Sequence, residues 1–405
     1  MKLARRLEKT IARIARDDAA RLDDHPLLHT RRVQKLAASP LGFLRGTAPF
    51  FFALLRGRGE VSGLDVPAAK GKGWIVGDAH LENFGLFRTE SGKDVRFDLN
   101  DFDEVTVGPH RWDVLRLLTS TLLVDTLPPS QAVPLARAAL AGYLAGRADV
   151  DDGASPPDCV RQLLARARAR KVGDLLEGRV EEGHFLLSTR YLALSKRDRQ
   201  AAFDAFSRYA ELANPDAFWE PVDAALRVAG NGSLGTYRVA LLARRSGKNE
   251  RLFEMKGCSL HSAAIPAPIV AGARVASGTR ALLGTLPFGF GTATVAAAPG
   301  PRGPAAPRDA DARTCDGDRE RTGPSCVVRR LTPQDDKLTV SALSVREVLE
   351  LAPYLGILLG HAHRRAGAKG GPPWSDSVQH ALVASSIELA AAHRAAHGHY
   401  VHRRG

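Results

Sequence analysis

The apolar positions of this chain follow two periods. Trp74, Ile75 and Val76 form a short run that stops at Gly77, and positions 95–99 form another; both have the length and polar flanks of a buried strand. From Val114 the period changes, with Val114, Leu115, Leu117, Leu118, Leu122 and Leu123 spaced along one helix face. A further helix is expected from near Val160, after the turn Ser155-Pro156-Pro157-Asp158. Strand signals return at Tyr237, Val239, Leu241 and Leu242, at 251–256 after a turn at 246–249, and at 326–331. Residues 345–365 read as helix again, broken or restarted near Pro353, because an interior proline lacks the amide donor and clashes with the preceding turn. Toward the N-terminus, residues 1–24 mix basic and acidic side chains at helical spacing. Residues 39–58, with Phe50-Phe51-Phe52, read as a buried helix carrying Arg45 as a functional cation or a partner for a carboxylate.

The pattern divides the chain into four sections. Residues 1–73 are a helical segment, 74–225 begin with the two short strands and continue as helices, 226–343 are rich in strands, and 344–405 are helical. An Ala-, Pro-, Gly-, Asp- and Arg-rich stretch at 296–323 interrupts the third section and is expected to be a disordered insertion. The class is α+β.

Candidate chemistry concentrates at the ends of the first two strands. Gly77-Asp78-Ala79-His80-Leu81-Glu82-Asn83-Phe84-Gly85 and Phe97-Asp98-Leu99-Asn100-Asp101-Phe102-Asp103-Glu104 hold six acidic side chains, two amides and one imidazole among apolar anchors. Any one of these residues is an ordinary turn former. Carboxylates and an amide converging at strand ends are what a magnesium-phosphate site needs, since Mg2+ takes oxygen ligands and usually only one or two protein carboxylates. His80 is expected to orient the loop by hydrogen bonding.

A second constellation lies in the strand-rich section. Gly230-Asn231-Gly232-Ser233-Leu234-Gly235 is a G-x-G-x-x-G followed by strand, and the next strand ends in Lys256. A dinucleotide-binding reading needs a helix after the glycines and fits poorly. A glycine-rich hairpin whose following strand carries a lysine is one way to cover and pair nucleotide phosphates.

Asp78 and Asn83 stand five positions apart, and Asp101-Phe102-Asp103 resembles the Asp-Phe-Gly that follows the catalytic loop of kinases. Gly108, Pro109 and Trp112-Asp113-Val114 resemble the segment that comes next in aminoglycoside and choline kinases. The resemblance implies a protein-kinase-like two-lobed fold, with a helical large lobe and a small antiparallel-sheet lobe. Glycine loop and lysine follow the catalytic loop here instead of preceding it, which implies a circular permutation. It also implies roles: Asp78 and His80 catalytic, with Asp78 receiving or orienting an acceptor proton; Asn83, Asp101 and Asp103 on Mg2+; Gly230, Gly232, Ser233, Gly235, Lys256 and Arg45 on ATP; and Asp113 bracing the loop.

Over nearly its whole length the chain is similar to the bacterial family known as domain of unknown function 2252. The likeness is carried by Ser39-Pro40-Leu41-Gly42-Phe43-Leu44-Arg45-Gly46, the two acidic blocks, residues 108–117, Gly232-Ser233-Leu234-Gly235-Thr236, and residues 252–256, 328–331 and 359–366. Two departures stand out. Lys256-Gly257-Cys258 replaces the family's Lys-Glu-Ala, and no Asp or Glu occurs between Gly257 and Arg308, so Lys256 is expected to pair with Glu254 or with nothing. Ser277-Gly278-Thr279-Arg280 replaces a Gly-Gln-Arg segment. The expected function is ATP- and Mg2+-dependent phosphoryl transfer to an unidentified hydroxyl-bearing acceptor. The alternatives are a metal-dependent hydrolase built on Asp78, His80, Asp98, Asp101 and Asp103, or a nucleotide-binding pseudokinase without turnover.

Global composition adds limits. The 405 residues, 44% of them hydrophobic, suffice for two cores. No apolar run approaches the roughly 18 residues of a membrane span, and the N-terminus lacks the apolar region of a signal peptide, so the cytoplasm is the default expectation. The net charge of +13 comes largely from arginines spread over helices such as 161–171, without a nucleic-acid-binding motif; it suits steering of an anionic nucleotide better than specific nucleic-acid recognition. Cys159, Cys258, Cys315 and Cys326 show no zinc spacing and are expected as free thiols, although Cys315 and Cys326 flank one loop. His361, His363, His393, His397, His399 and His402 read as helix-surface residues.

Overall fold

The strand and helix signals resolve into a mixed α and β architecture with antiparallel sheets. The computed structural model describes residues 8–9, 11–12, 14–16, 26–56, 71–148, 155–213, 218–230, 234, 236–245, 249–259, 271–296, 322–367 and 374–402. Helices α1 (Pro26–Ala37), α2 (Pro40–Gly46) and α3 (Ala48–Arg56) precede strands β1 (Lys72–Ile75), β2 (Phe84–Arg88), β3 (Val95–Leu99) and β4 (Thr106–Pro109). Helices α4 (His110–Leu122), α5 (Pro129–Ala148), α6 (Asp158–Ala169) and α7 (Val172–Leu176) follow, then short strands β5 (Val180–Glu181), β6 (His184–Phe185) and β7 (Tyr191–Leu192). After α8 (Lys196–Ala213) come β8 (Glu220–Arg227), β9 (Arg238–Arg245), β10 (Asn249–Gly257), α9 (Ala271–Leu283), β11 (Gly291–Ala296), β12 (Thr322–Arg330) and β13 (Asp336–Lys337). Helices α10 (Val345–Arg365) and α11 (Asp376–His402) end the described chain.

The main sheet has six strands in the order β11-β12-β10-β9-β8-β7. Side chains alternate across it. Val239, Leu241, Phe253, Met255 and Val328 pack against Phe206 and Tyr209 of α8, whereas Arg238, Glu254 and Lys256 point to the other face. A smaller three-stranded sheet, β13-β2-β3, carries the two acidic blocks at its ends. Its core merges with that of α4, α5, α6 and α10.

Two helix expectations need correction. The segment 39–58 is two helices, because Thr47 leaves the helical region (φ −131°, ψ 48°) and buried Arg32 takes the Gly46 carbonyl at 2.8 Å, which would otherwise serve the next turn. Conversely, α10 runs through Pro353 without interruption. It lies against α5 so closely that a Cβ on Gly142 would strike the Pro353 backbone and one on Gly356 the Ala139 carbonyl, and this packing outweighs the missing amide donor. The expected boundary at 225 falls inside β8, so the sheet draws in β7 and α8 from the preceding section. His363 and His393 are fully buried, not on helix surfaces, since α10 and α11 turn these faces into the core. The insertion at 296–323 lies mostly outside the described residues, and Cys315 wholly so. Among the described residues, no helix is long and apolar enough to cross a membrane.

Candidate functional site

The loop between β1 and β2 is held by one stripe of α4. Asp113 accepts from the amides of Val76 (2.7 Å) and Gly77 (2.9 Å), Arg116 donates to Asp78 Oδ1 (2.6 Å), and Ser120 Oγ accepts from the Leu81 amide (3.1 Å). These three polar residues sit three and four positions apart on a largely buried helix, so they share a face. Gly77 adopts φ +76°, and a Cβ there would collide with the Glu104 carbonyl, so the strand end requires glycine. From behind, His363 Nε2 approaches Asp113 Oδ2 at 3.0 Å while its Nδ1 meets the Tyr143 hydroxyl at 3.0 Å, linking the end of α10 to the loop.

Asp78 points outward from this clamp. Burial raises its pKa to about 7, with Glu104 adding to the rise and the Arg116 guanidinium opposing it. His80 is kept neutral, its pKa lowered well below the ordinary value by burial and by Arg45, Arg116 and Lys337. Its Nδ1 accepts from the Glu82 amide (3.1 Å), which assigns the proton to Nε2, 3.8 Å from Asp78 Oδ2. Arg45 pairs with Glu82, whose other oxygen takes the Val340 amide at 2.9 Å. Asn83 ties the two acidic blocks together: its Nδ2 donates to the carbonyls of Asp78 (2.8 Å) and Asp101 (3.0 Å), and its Oδ1 accepts from the Asp101 amide (2.8 Å). A single Oδ1 lone pair is left for a cation.

Lys256 crosses from the main sheet to the second acidic block. Its Nζ lies 3.0 Å from Asp101 Oδ1 and also pairs with Asp103. The expectation that Lys256 pairs with Glu254 or with nothing is therefore corrected. Glu254 is instead surrounded by Arg227, Arg238 and Arg329, three cations competing for one buried carboxylate. The surrounding protein opposes ionisation of Asp101 even though its side chain is more than half exposed, yet Lys256 and Arg238 carry its pKa below the ordinary value; burial and the neighbouring Asp101 charge push Asp103 up. Asp98 does not join them, because Arg365 holds its carboxylate at 2.9 Å and the Leu99 amide takes the other oxygen at 2.8 Å. Among the described residues, no group of three or more His, Cys, Asp and Glu side chains converges to hold a metal ion.

The family model described as "Uncharacterized protein conserved in bacteria (DUF2252)" matches residues 24–155 and 149–403. The chain belongs to this family. No curated protein and no solved structure matches it.

In this DUF2252 protein, Gly232, Ser233 and Gly235 lie outside the described residues. Gly230 is at φ +85°, with its carbonyl on the Lys35 ammonium at 2.7 Å. Motif reading passed over Arg116, although its place one turn after Asp113 in an apolar helix was a usable signal. It also passed over fully buried Arg274, which fixes the acidic turn by donating to the carbonyls of Val105, Asp103 and Ser259. Nothing in the sequence distinguishes Arg274, Lys35 or Lys337 from the other basic residues among 57.

Proposed function

We propose that this DUF2252 protein is an ATP- and Mg2+-dependent phosphotransferase of kinase-like, circularly permuted design that acts on a hydroxyl-bearing acceptor. One observation carries the reading: Lys256, on the strand after the glycine-rich segment, meets Asp101 at 3.0 Å although the two are 155 positions apart. Lysine and acidic pair are thus joined, through the Asn83 bonds, to the Asp78 loop, in keeping with phosphoryl transfer by positioning and electrostatics.

The residues fit the ligands. Asp101 and Asp103 present carboxylates that are 56% and 33% exposed, with lone pairs left over after Lys256, and Mg2+ bound through one or two carboxylates plus phosphate oxygens needs no third protein acid. When bound, ATP supplies the phosphoryl group and Mg2+ offsets the charge on its oxygens. Lys256, already poised on the acidic pair, engages the phosphates. Arg116 fixes Oδ1 of Asp78 and leaves Oδ2 to take the acceptor proton, and a pKa near neutrality suits a general base. Neutral His80 directs its Nε2 proton toward that carboxylate and holds the Glu82 amide. In the alternative hydrolase built on Asp78, His80, Asp98, Asp101 and Asp103, Asp98 is already paired with Arg365.

Thermal-shift measurement with ATP and Mg2+ tests the proposal. A ligand at about 100 times its Kd stabilises the folded state by about 2.7 kcal/mol, so a clear rise in melting temperature is expected at millimolar nucleotide. Absence of any shift with ATP or ADP would overturn the reading. The Lys256→Ala protein should lose the response, and undiminished turnover in that variant would favour hydrolysis.

A further inference from the structure

Three cations are set around the loop that carries Asp78. Lys35, near the end of α1, reaches the glycine-rich segment through the Gly230 carbonyl at 2.7 Å. Arg45 is brought to the loop because Arg116 bonds both Asp78 and the carbonyl of its neighbour Leu44, at 2.9 Å. Lys337 in β13 pairs in register with Gly85, two positions beyond Asn83, and its ammonium has no hydrogen bond or ion pair among the described residues. Among the described residues, Glu82 is the one carboxylate ion-paired with any of the three, and it is engaged by Arg45 and the Val340 amide.

The electrostatics agree with this placement. Lys35 and Lys337 both sit below the usual lysine pKa, first because of burial and then because Arg45 and the neighbouring cations repel a further proton. Lys337 also lies within electrostatic reach of both Asp101 and His80. Among the described residues, these three cations face Glu82, with Asp101 in electrostatic reach of Lys337, so the group carries a net positive charge. Such an assembly suits an anionic ligand such as a phosphate.

We propose that Lys35, Arg45 and Lys337 form a subsite for the dianionic phosphate of a phosphorylated acceptor, held so that a hydroxyl of the same molecule reaches Asp78. The inference rests on the phosphotransferase reading and names its substrate class. In the transfer, the acceptor oxygen bonds to the γ-phosphorus as the bridging O–P bond breaks, its electron pair leaves with ADP, and the hydroxyl proton passes to Asp78. Lys256 is taken up by Asp101 and Asp103, whereas Arg45 and Lys337 attach to Glu82 and Gly85 of the loop that carries Asp78, which assigns these cations to the acceptor.

The test uses the full chain, its Lys35→Ala/Lys337→Ala variant and the single Lys337→Glu variant, with inorganic phosphate and Mg-ATP each titrated by calorimetry. Phosphate affinity should fall about tenfold or more in both variants, and Mg-ATP affinity should stay within about twofold. Lys337→Arg should retain phosphate binding. With wild-type protein, ADP release should be stimulated by hydroxyl compounds bearing a phosphate and not by their unphosphorylated counterparts. An equal loss of Mg-ATP and phosphate affinity would assign the cations to the donor and overturn the proposal, as would wild-type protein that fails to bind phosphate. Phosphate binding that disappears in the variants of a protein indifferent to Mg-ATP would sink the phosphotransferase reading while leaving the anion subsite in place.

Discussion

Asp113 and Asp101 are carboxylates of one short stretch of chain with opposite fates. Asp113 is fully buried and saturated, taking two backbone amides and His363. Asp101 is more than half exposed and shares one ammonium with Asp103. A buried carboxylate with three partners is a structural fixture, because removing it strands several desolvated groups at once. A carboxylate facing a cleft with capacity to spare can exchange its partner for a ligand. The contrast separates what shapes this site from what is available to act in it.

The largest expected effect is on the saturated side. Asp113→Ala leaves the Val76 and Gly77 amides and His363 without their acceptor and should cost about 3 to 5 kcal/mol, read as a lower midpoint of denaturant unfolding. A loss below about 1 kcal/mol would break the contrast. Asp101→Asn should do the reverse, changing stability by less than about 1 kcal/mol while weakening Mg-ATP binding about 100-fold, measured by calorimetry. Comparable destabilisation in the two variants would show that exposure and spare capacity do not distinguish them. The smallest effect is a slope. Asp78 must be ionised to accept a proton and its pKa is raised to about 7, so kcat/KM should climb about tenfold per pH unit from about pH 5 and level off above about pH 7. Arg116 is the cation that opposes this rise, so Arg116→Met should move the limb to higher pH; an unmoved limb would assign it to another group.

Legibility followed the range of the interaction. Residues 95–99 and 345–365 read from periodicity alone match β3 and α10 end to end, and the acidic blocks stand at strand ends as spacing implied. The break at Thr47 was hidden because its cause, Arg32 capturing the Gly46 carbonyl, comes from another helix. Pro353 misled for the same reason, the compensation lying in the glycine-lined contact with α5. Asp98 looked equivalent to Asp101 in the chain, and Arg365, 267 positions away, separates them. His363 read as a surface histidine until α10 was laid against α4, where its ring nitrogens meet Asp113 and Tyr143.

Local pattern alone was enough to establish the α+β class, the acidic blocks with Asp78 and Asp101 at strand ends, and the pair of strands that carries Lys256. Each of these is written in residues a few positions apart, where backbone period and turn chemistry act. The partner of Lys256, the saturation of Asp113, the pairing of Asp98 and the gathering of Lys35, Arg45 and Lys337 came only with the assembled chain. Their physical reason is common: an ion pair and the desolvation around it depend on which of many similar charges is brought close, and that is decided by packing between segments far apart in sequence.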